Sequence, residues 1–208
     1  KVNRLSFASK FPSAASLASM GNDEAGVIID DQLKIMKKCG INLNLSPVAD
    51  ISDDSSSHIF RTGRMISSDP DTVVSFSLFY MEKHKKMRFL TALKHFPGYG
   101  DTYDNSDRYL TKFKGGYGLF LEGFSVFSRL IPKSDFVMVS NLIYPFIDSL
   151  PANMSPVIID YIVKYNDKAV ILTDDIACSS HKDVFGDFKL SLKAGCDMFI
   201  LMNDTLYE

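Results

Sequence analysis

Cysteine is scarce: Cys39, Cys178 and Cys196 make an odd count without Cys-x-x-Cys spacing, which suggests neither a disulfide framework nor a zinc site. An excess of positive charge is also missing, since 23 Lys and Arg face 25 Asp and Glu, for a formal net charge of -2 and a pI near 6.1. That balance offers no broad cationic surface for neutralising phosphates, so nucleic acid is not an expected partner. No apolar run reaches the ~18 residues of a spanning helix, and Lys1 to Lys10 lack the apolar stretch of a secretory signal. The chain is expected to be soluble, with its compartment open because a removed leader leaves no trace. There is no internal repeat, and no low-complexity tract beyond Ser52 to Ser57, which reads as a loop. His58, His84 and His181 lack metal-ligand spacing, and no metal or organic cofactor is implied.

What is present points to one layered domain. With 46% hydrophobic residues in 208, the chain can build one substantial core, as single domains commonly run to about 100–200 residues. Short β-rich runs recur at Ile41 to Val48, Phe89 to His95, Asp135 to Ser140, Lys168 to Thr173 and Asp197 to Met202, alternating with helix-like segments. Asp69-Pro70 and Ser155-Pro156 each put a capping side chain before a proline at the first helical position. Phe120, Phe124, Phe127 and Ile131 recur at spacings of three and four over Leu119 to Ile131, which predicts a helix with these residues in the core. Val137 to Val139 and Val170 to Leu172 are apolar on consecutive residues, as in strands covered on both faces. The pattern favours a parallel sheet within a helical layer. Five strand runs are visible where a (β/α)₈ barrel needs eight, so either βα units are absent at both ends or the sheet is open.

Parallel α/β folds bind ligands at the carboxyl ends of their strands. There the chain carries Asp50, then Lys94-His95-Phe96-Pro97-Gly98, then Asn141, then Thr173-Asp174-Asp175. Adjacent strand residues point to opposite faces, so Asp174 and Asp175 cannot both enter a barrel mouth, and either could instead cap the next helix. Lys94 to Asp107, KHFPGYGDTYDNSD, has the composition of an active-site loop or of an ordinary solvated connection. Lys94 could serve as a Schiff-base amine of an aldolase-type barrel or as a phosphate contact. Gly98-Tyr99-Gly100 is not a dinucleotide fingerprint. Asp50 is expected to orient Arg64 or the strand-end backbone.

KHFPG followed by Gly100, ILTDD at Ile171 to Asp175 and AGCDMFILMND at Ala194 to Asp204 resemble the bacterial β-N-acetylglucosaminidases of glycoside hydrolase family 3. NRL at Asn3 to Leu5, FPSAASLA at Phe11 to Ala18, INLNLSPVADI at Ile41 to Ile51, GRMISSDPDTV at Gly63 to Val73 and VSNLIYP at Val139 to Pro145 extend the likeness over nearly the whole chain, in the same order. The resemblance implies a (β/α)₈ barrel, with residues 1–208 as one N-terminal-type barrel domain lacking segments at both ends. It further implies a retaining exo-glycosidase acting on β-N-acetylglucosaminides or related sugars such as peptidoglycan fragments, with a carbohydrate as the partner. A cytoplasmic location follows from the family, and a monomer is the default. On this reading Asp174 is the nucleophile, Arg64, Lys94 and His95 contact the sugar in the minus-one subsite, and Arg4 is a further substrate contact.

One loop departs from the pattern. The family reads KHFPGHG and ends in Asp-Ser-His, with that histidine as general acid/base beside its partner aspartate; here the loop reads KHFPGYG and ends in Asn105-Ser106-Asp107. A retaining glycosidase needs a nucleophile and a proton donor at the leaving oxygen. An ordinary aspartate is protonated roughly once in a thousand at pH 7, a cost of about 4 kcal/mol. Asp107 can replace the histidine only if burial or a neighbouring carboxylate such as Asp174 or Asp104 raises its pKa. Asp104 would supply the proton in a shifted loop register. The alternative is a sugar-binding protein that keeps the pocket without the acid/base dyad.

Overall fold

A computed structural model of the chain describes residues 11–177 and 184–202. Its centre is one parallel sheet of five strands in sequential order, β1 (Leu43–Asn44), β2 (Leu90–Phe96), β3 (Phe136–Val139), β4 (Val170–Asp175) and β5 (Met198–Ile200). Parallel neighbours require crossovers, and helices supply them: α3 (His58–Arg61) and α4 (Pro70–Lys86) between β1 and β2, α5 (Tyr117–Leu130) before β3, α6 (Pro156–Tyr165) before β4, and α7 (Val184–Ala194) before β5. Two further helices, α1 (Ala14–Ser19) and α2 (Asn22–Lys38), precede the sheet. All five strand runs read from the sequence are strands. The eight-stranded closed barrel is not seen; among the described residues the architecture is an α/β half-barrel sheet.

The local grammar explains the element boundaries. Asp69 accepts a hydrogen bond from the Thr72 amide at 2.7 Å, and Pro70 opens α4 without wasting a donor. Ser155 caps α6 in the same way, accepting from the Ile158 amide. The first strand is shorter than Ile41 to Val48. Pro47 has no N–H to give the ladder, although the Lys94 amide still reaches the Pro47 carbonyl at 3.1 Å and the Ala49 amide reaches the Lys94 carbonyl at 2.8 Å.

Strand alternation divides the core into two layers. Leu93, Val137, Val139 and Ile171 face the helices and pack with Phe127, Ile158 and Ile159, while Ala92, Met138 and Leu172 form a small cluster on the opposite face. At the end of β2 the register slips: Lys94 pairs with Met138, but Phe96 pairs with Val139. His95 is thus the extra residue of a bulge. The bulge reverses the alternation, so Lys94 lines the inner cavity while Phe96 packs under the helices against Phe124 and Phe127.

Phe127 is fully buried at this junction. Phe127→Ala in the full-length protein is expected to cost about 3–5 kcal/mol, read from the urea midpoint, whereas Val27→Ala on the exposed face of α2 should change stability by less than about 0.5 kcal/mol.

Candidate active site

The carboxyl ends of the strands converge on a cavity of about 640 Å³. Its mouth is lined by His58, Arg64, Lys94, Asn105, Asp107 and Asp174, and it continues past Met138 and Leu45 toward Phe11 and Leu17. Beyond Leu172 of the inner cluster the register of β4 against β5 slips, and Asp174 lines this space. Asp175 turns away and accepts from the amides of Ala177 at 3.0 Å and Met202 at 3.1 Å, tying the β4 end to the β5 end. Of the pair, Asp174 alone lines the cavity.

Asp50, just beyond β1, is completely buried, and its two oxygens accept three hydrogen bonds. His95 donates from its backbone amide at 3.2 Å and from Nδ1 at 2.6 Å, and the Tyr99 amide donates at 3.0 Å. On the other side of the ring, Arg64 Nη2 lies 2.9 Å from His95 Nε2. A guanidinium can only donate, so Nε2 accepts and the His95 proton sits on Nδ1 facing Asp50. Burial accordingly holds the imidazole below its usual pKa despite the Asp50 carboxylate, with Arg64 and Lys94 adding to the lowering. Asp50 therefore orients the strand-end backbone, as expected, but it acts on Arg64 through His95 rather than directly. His95 is itself 2% exposed and sits behind Arg64 rather than on the described cavity wall. Arg4 lies outside the described residues.

The loop after β2 delivers Asp107. Its start is held by the Tyr144 hydroxyl, which donates to the Gly98 carbonyl at 2.6 Å. At Gly100, φ is +53°, and a Cβ there would collide with the Phe113 ring and stand 2.8 Å from the Lys114 carbonyl, so only glycine passes this point. Asp101 accepts from the Ser52 hydroxyl and from the Asp53 and Asp54 amides, and Arg61 donates to the Tyr103 carbonyl, which docks the loop on the β1–α4 connection. Asn105 Oδ1 then accepts from the Asp107 amide at 3.0 Å. Asp107 is half-buried in the cavity wall, whereas Asp104 is exposed and lines a separate shallow depression with Tyr109 to Lys112 and Lys114. Burial, then the negative charges of Asp174 and Asp175, push the Asp107 carboxyl up to about 6 against the opposing pull of Arg64 and Lys94.

His58 is the wall residue that sequence reasoning passed over. It opens α3, its amide donates to the Thr102 carbonyl at 2.8 Å, and burial with the nearby Arg64 and Arg61 charges lowers its pKa. The only sequence signal was its place between a Ser-rich loop and Arg64. Among the described residues, no group of three or more His, Cys, Asp or Glu side chains is placed to hold a metal ion, and no helix is long and apolar enough to cross a membrane.

The sequence profile described as "Glycosyl hydrolase family 3 N terminal domain" matches residues 1–208. A curated β-hexosaminidase of Idiomarina loihiensis is 30% identical over 178 residues, covering 79% of this chain and 51% of its own length. The chain thus spans about half the length of the curated relatives it matches. Among solved structures, a family GH3 glycosyl hydrolase of Mycobacterium smegmatis superposes with a TM-score of 0.80 at 25% identity, over 92% of this chain and 62% of that one. A β-N-acetylhexosaminidase of Beutenbergia cavernae gives 0.82 over 94% of this chain and 62% of its own, and at 23% identity it shows a shared fold.

The raised Asp107 carboxyl has a stability consequence with a definite sign. A folded-state pKa above the unfolded value means that the folded chain favours the proton, so the stabilisation is complete below about 3.8 and is lost as pH rises through about 6. Asp107→Asn, which mimics the protonated form, should therefore be more stable than the parent at pH 7 by about 1–2 kcal/mol once solvent screening of a partly exposed carboxyl is allowed for, and this advantage should vanish near pH 3.5 in parallel denaturant titrations.

Proposed function

Because the chain belongs to the glycosyl hydrolase family 3 N-terminal domain family, we propose that the whole protein is a retaining exo-glycosidase for β-N-acetylglucosaminides or related sugars. The observation that carries this reading is the joint placement of Asp174 and a pKa-raised Asp107 on one cavity wall with Arg64 and Lys94. The names of the curated relatives, β-hexosaminidases, supply the sugar class. Fragments of peptidoglycan are the natural sources of such linkages that we favour. The five described strands are consecutive members of a (β/α)₈ barrel that the rest of the protein completes, which fits the partial coverage of the solved relatives.

The chemistry runs in two steps. Asp174 attacks the anomeric carbon and forms a glycosyl ester while Asp107 gives its proton to the departing glycosidic oxygen. Asp107, now a carboxylate, takes a proton from the incoming water, whose oxygen displaces Asp174 and restores both groups. An acid with a pKa of about 6 is half protonated at that pH, a far better donor near neutrality than an ordinary aspartate. Arg64, steadied by the His95–Asp50 pair, and Lys94 hold sugar hydroxyls, and Asp104, exposed outside the cavity, takes no part. Membership of a glycosyl hydrolase family leaves the aldolase-type use of Lys94 without support.

Hydrolysis of N-acetyl-β-glucosaminides by the full-length protein over pH 4 to 8 tests this. Asp174→Ala should abolish turnover of every substrate. Asp107→Ala should lower kcat/KM by about 10²–10⁴ on alkyl glycosides but much less on activated aryl glycosides, whose leaving groups need little protonation. The parent should lose activity as pH rises through about 6. Sugar binding without turnover of an activated glycoside would instead support a binding protein that has lost catalysis.

A further inference from the structure

Tyr99 occupies the place where the family pattern has a histidine, yet its hydroxyl is not presented to the cavity. The side chain is 2% exposed, and its ring lies between those of His58 and His95, with centroids 5.9 and 5.6 Å away. Its backbone amide is held by Asp50 at 3.0 Å. Its hydroxyl donates to Ser106 Oγ at 2.6 Å and accepts from the Ser106 amide at 3.0 Å. Ser106 is 1% exposed and directly precedes Asp107. We propose that Tyr99 is a positioning residue for Asp107, clamping the returning limb of the loop through Ser106 so that the Asp107 carboxyl stays in the cavity wall beside Asp174. This inference rests on the reading of Asp107 as the acid/base.

The physical case has three parts. Both hydrogen bonds fall on one buried residue, one on its side chain and one on its backbone amide, so the clamp fixes a peptide unit as well as a side chain, and a buried donor or acceptor that loses its partner must find water or move. The clamp is continuous with the other half of the site, because the same Asp50 oxygen accepts from the Tyr99 and His95 amides. Burial also pushes the phenol far above its ordinary pKa, so the hydroxyl keeps its proton over the working range and serves as a fixed strut rather than as an acid. The charges that act on Asp107 are those of Asp174 and, from the other face of the strand end, Asp175, with Arg64 from the β1–α4 connection and Lys94 from β2. A loop that swings outward loses burial and both carboxylate neighbours together, and the acid reverts toward an ordinary aspartate.

The test uses full-length protein with Tyr99→Phe, which keeps the ring and deletes the hydroxyl, beside Asp107→Asn. An alkyl and a 2,4-dinitrophenyl N-acetyl-β-glucosaminide are compared from pH 4 to 8. For Tyr99→Phe we expect kcat/KM on the alkyl substrate to fall about 10- to 100-fold at pH 7, with the alkaline limb moved below that of the parent. The loss on the dinitrophenyl substrate should stay under about threefold. Equal losses on both substrates with an unmoved pH limb would mark a merely structural tyrosine and overturn the proposal, as would no loss at all. If Asp107→Asn shows the leaving-group dependence and Tyr99→Phe does not, positioning fails while the acid assignment stands. If Asp107→Asn lacks it too, the acid assignment falls and the proposal with it. Should Tyr99→Phe melt, Ser106→Ala removes one of the two clamp bonds and must show the same substrate-dependent loss in smaller degree, or the proposal is wrong.

Discussion

The Asp50 carboxylate is the constraint on which the site depends. Fully buried beyond the short first strand, it must be saturated with donors to be tolerated there, and the three it accepts come from His95 at the end of β2 and Tyr99 just after it. That demand places the His95 ring, the His95 ring selects the nitrogen that faces Arg64, and the Arg64 guanidinium is thereby held at the cavity wall. On the other side the same carboxylate anchors Tyr99, whose hydroxyl reaches Ser106. One buried carboxylate thus organises both the Arg64 side and the Asp107 side of the cavity.

The β2 bulge is the second device, and it works through parity. A regular strand would put Lys94 and Phe96 on the same face, which would bury a lysine among phenylalanines or expose an aromatic ring to the cavity. One extra residue separates them: Lys94 faces the polar space, Phe96 joins the helical core, and His95 turns to Asp50. β4 has an irregularity of its own, because its register against β5 slips between Leu172 and Asp175. Asp174 lines the cavity there, and Asp175 is spent on the backbone of the strand ends.

The altered loop sets a carboxylate, Asp107, in surroundings that raise its pKa. An imidazole is poised near neutrality by its own chemistry, whereas a carboxylate must be made so by desolvation and by like charge nearby. Asp107 receives both, in a loop that is hydrogen-bonded to the rest of the fold at Gly98, Asp101 and Ser106. Its neighbour Asp104 has the same functional group and a similar place in the sequence, but it points outward and shares none of that setting.

Much of the fold was legible in the chain. Consecutive apolar residues at Val137 to Val139 and Val170 to Leu172, and cap-proline pairs at Asp69 and Ser155, are local signals governed by near neighbours, and they placed strands and helix starts correctly. Helix α2 carried the same kind of signal in buried Ala25, Ile29, Leu33 and Met36, but it lay outside the strand rhythm and was not read. Asp174 and Asp175 stood out together as carboxylates at a strand end, and only the family resemblance chose Asp174 between them. The roles of Asp50 and His58, the inward turn of Asp107 and the outward turn of Asp104 were decided only by tertiary structure. Each depends on contacts between residues tens of positions apart, such as His95 with Asp50 or the Thr102 carbonyl with His58, and on a burial that no local pattern encodes. Residue type sets which protons can move, while the packed fold sets the solvent and the neighbours that decide at what pH they do.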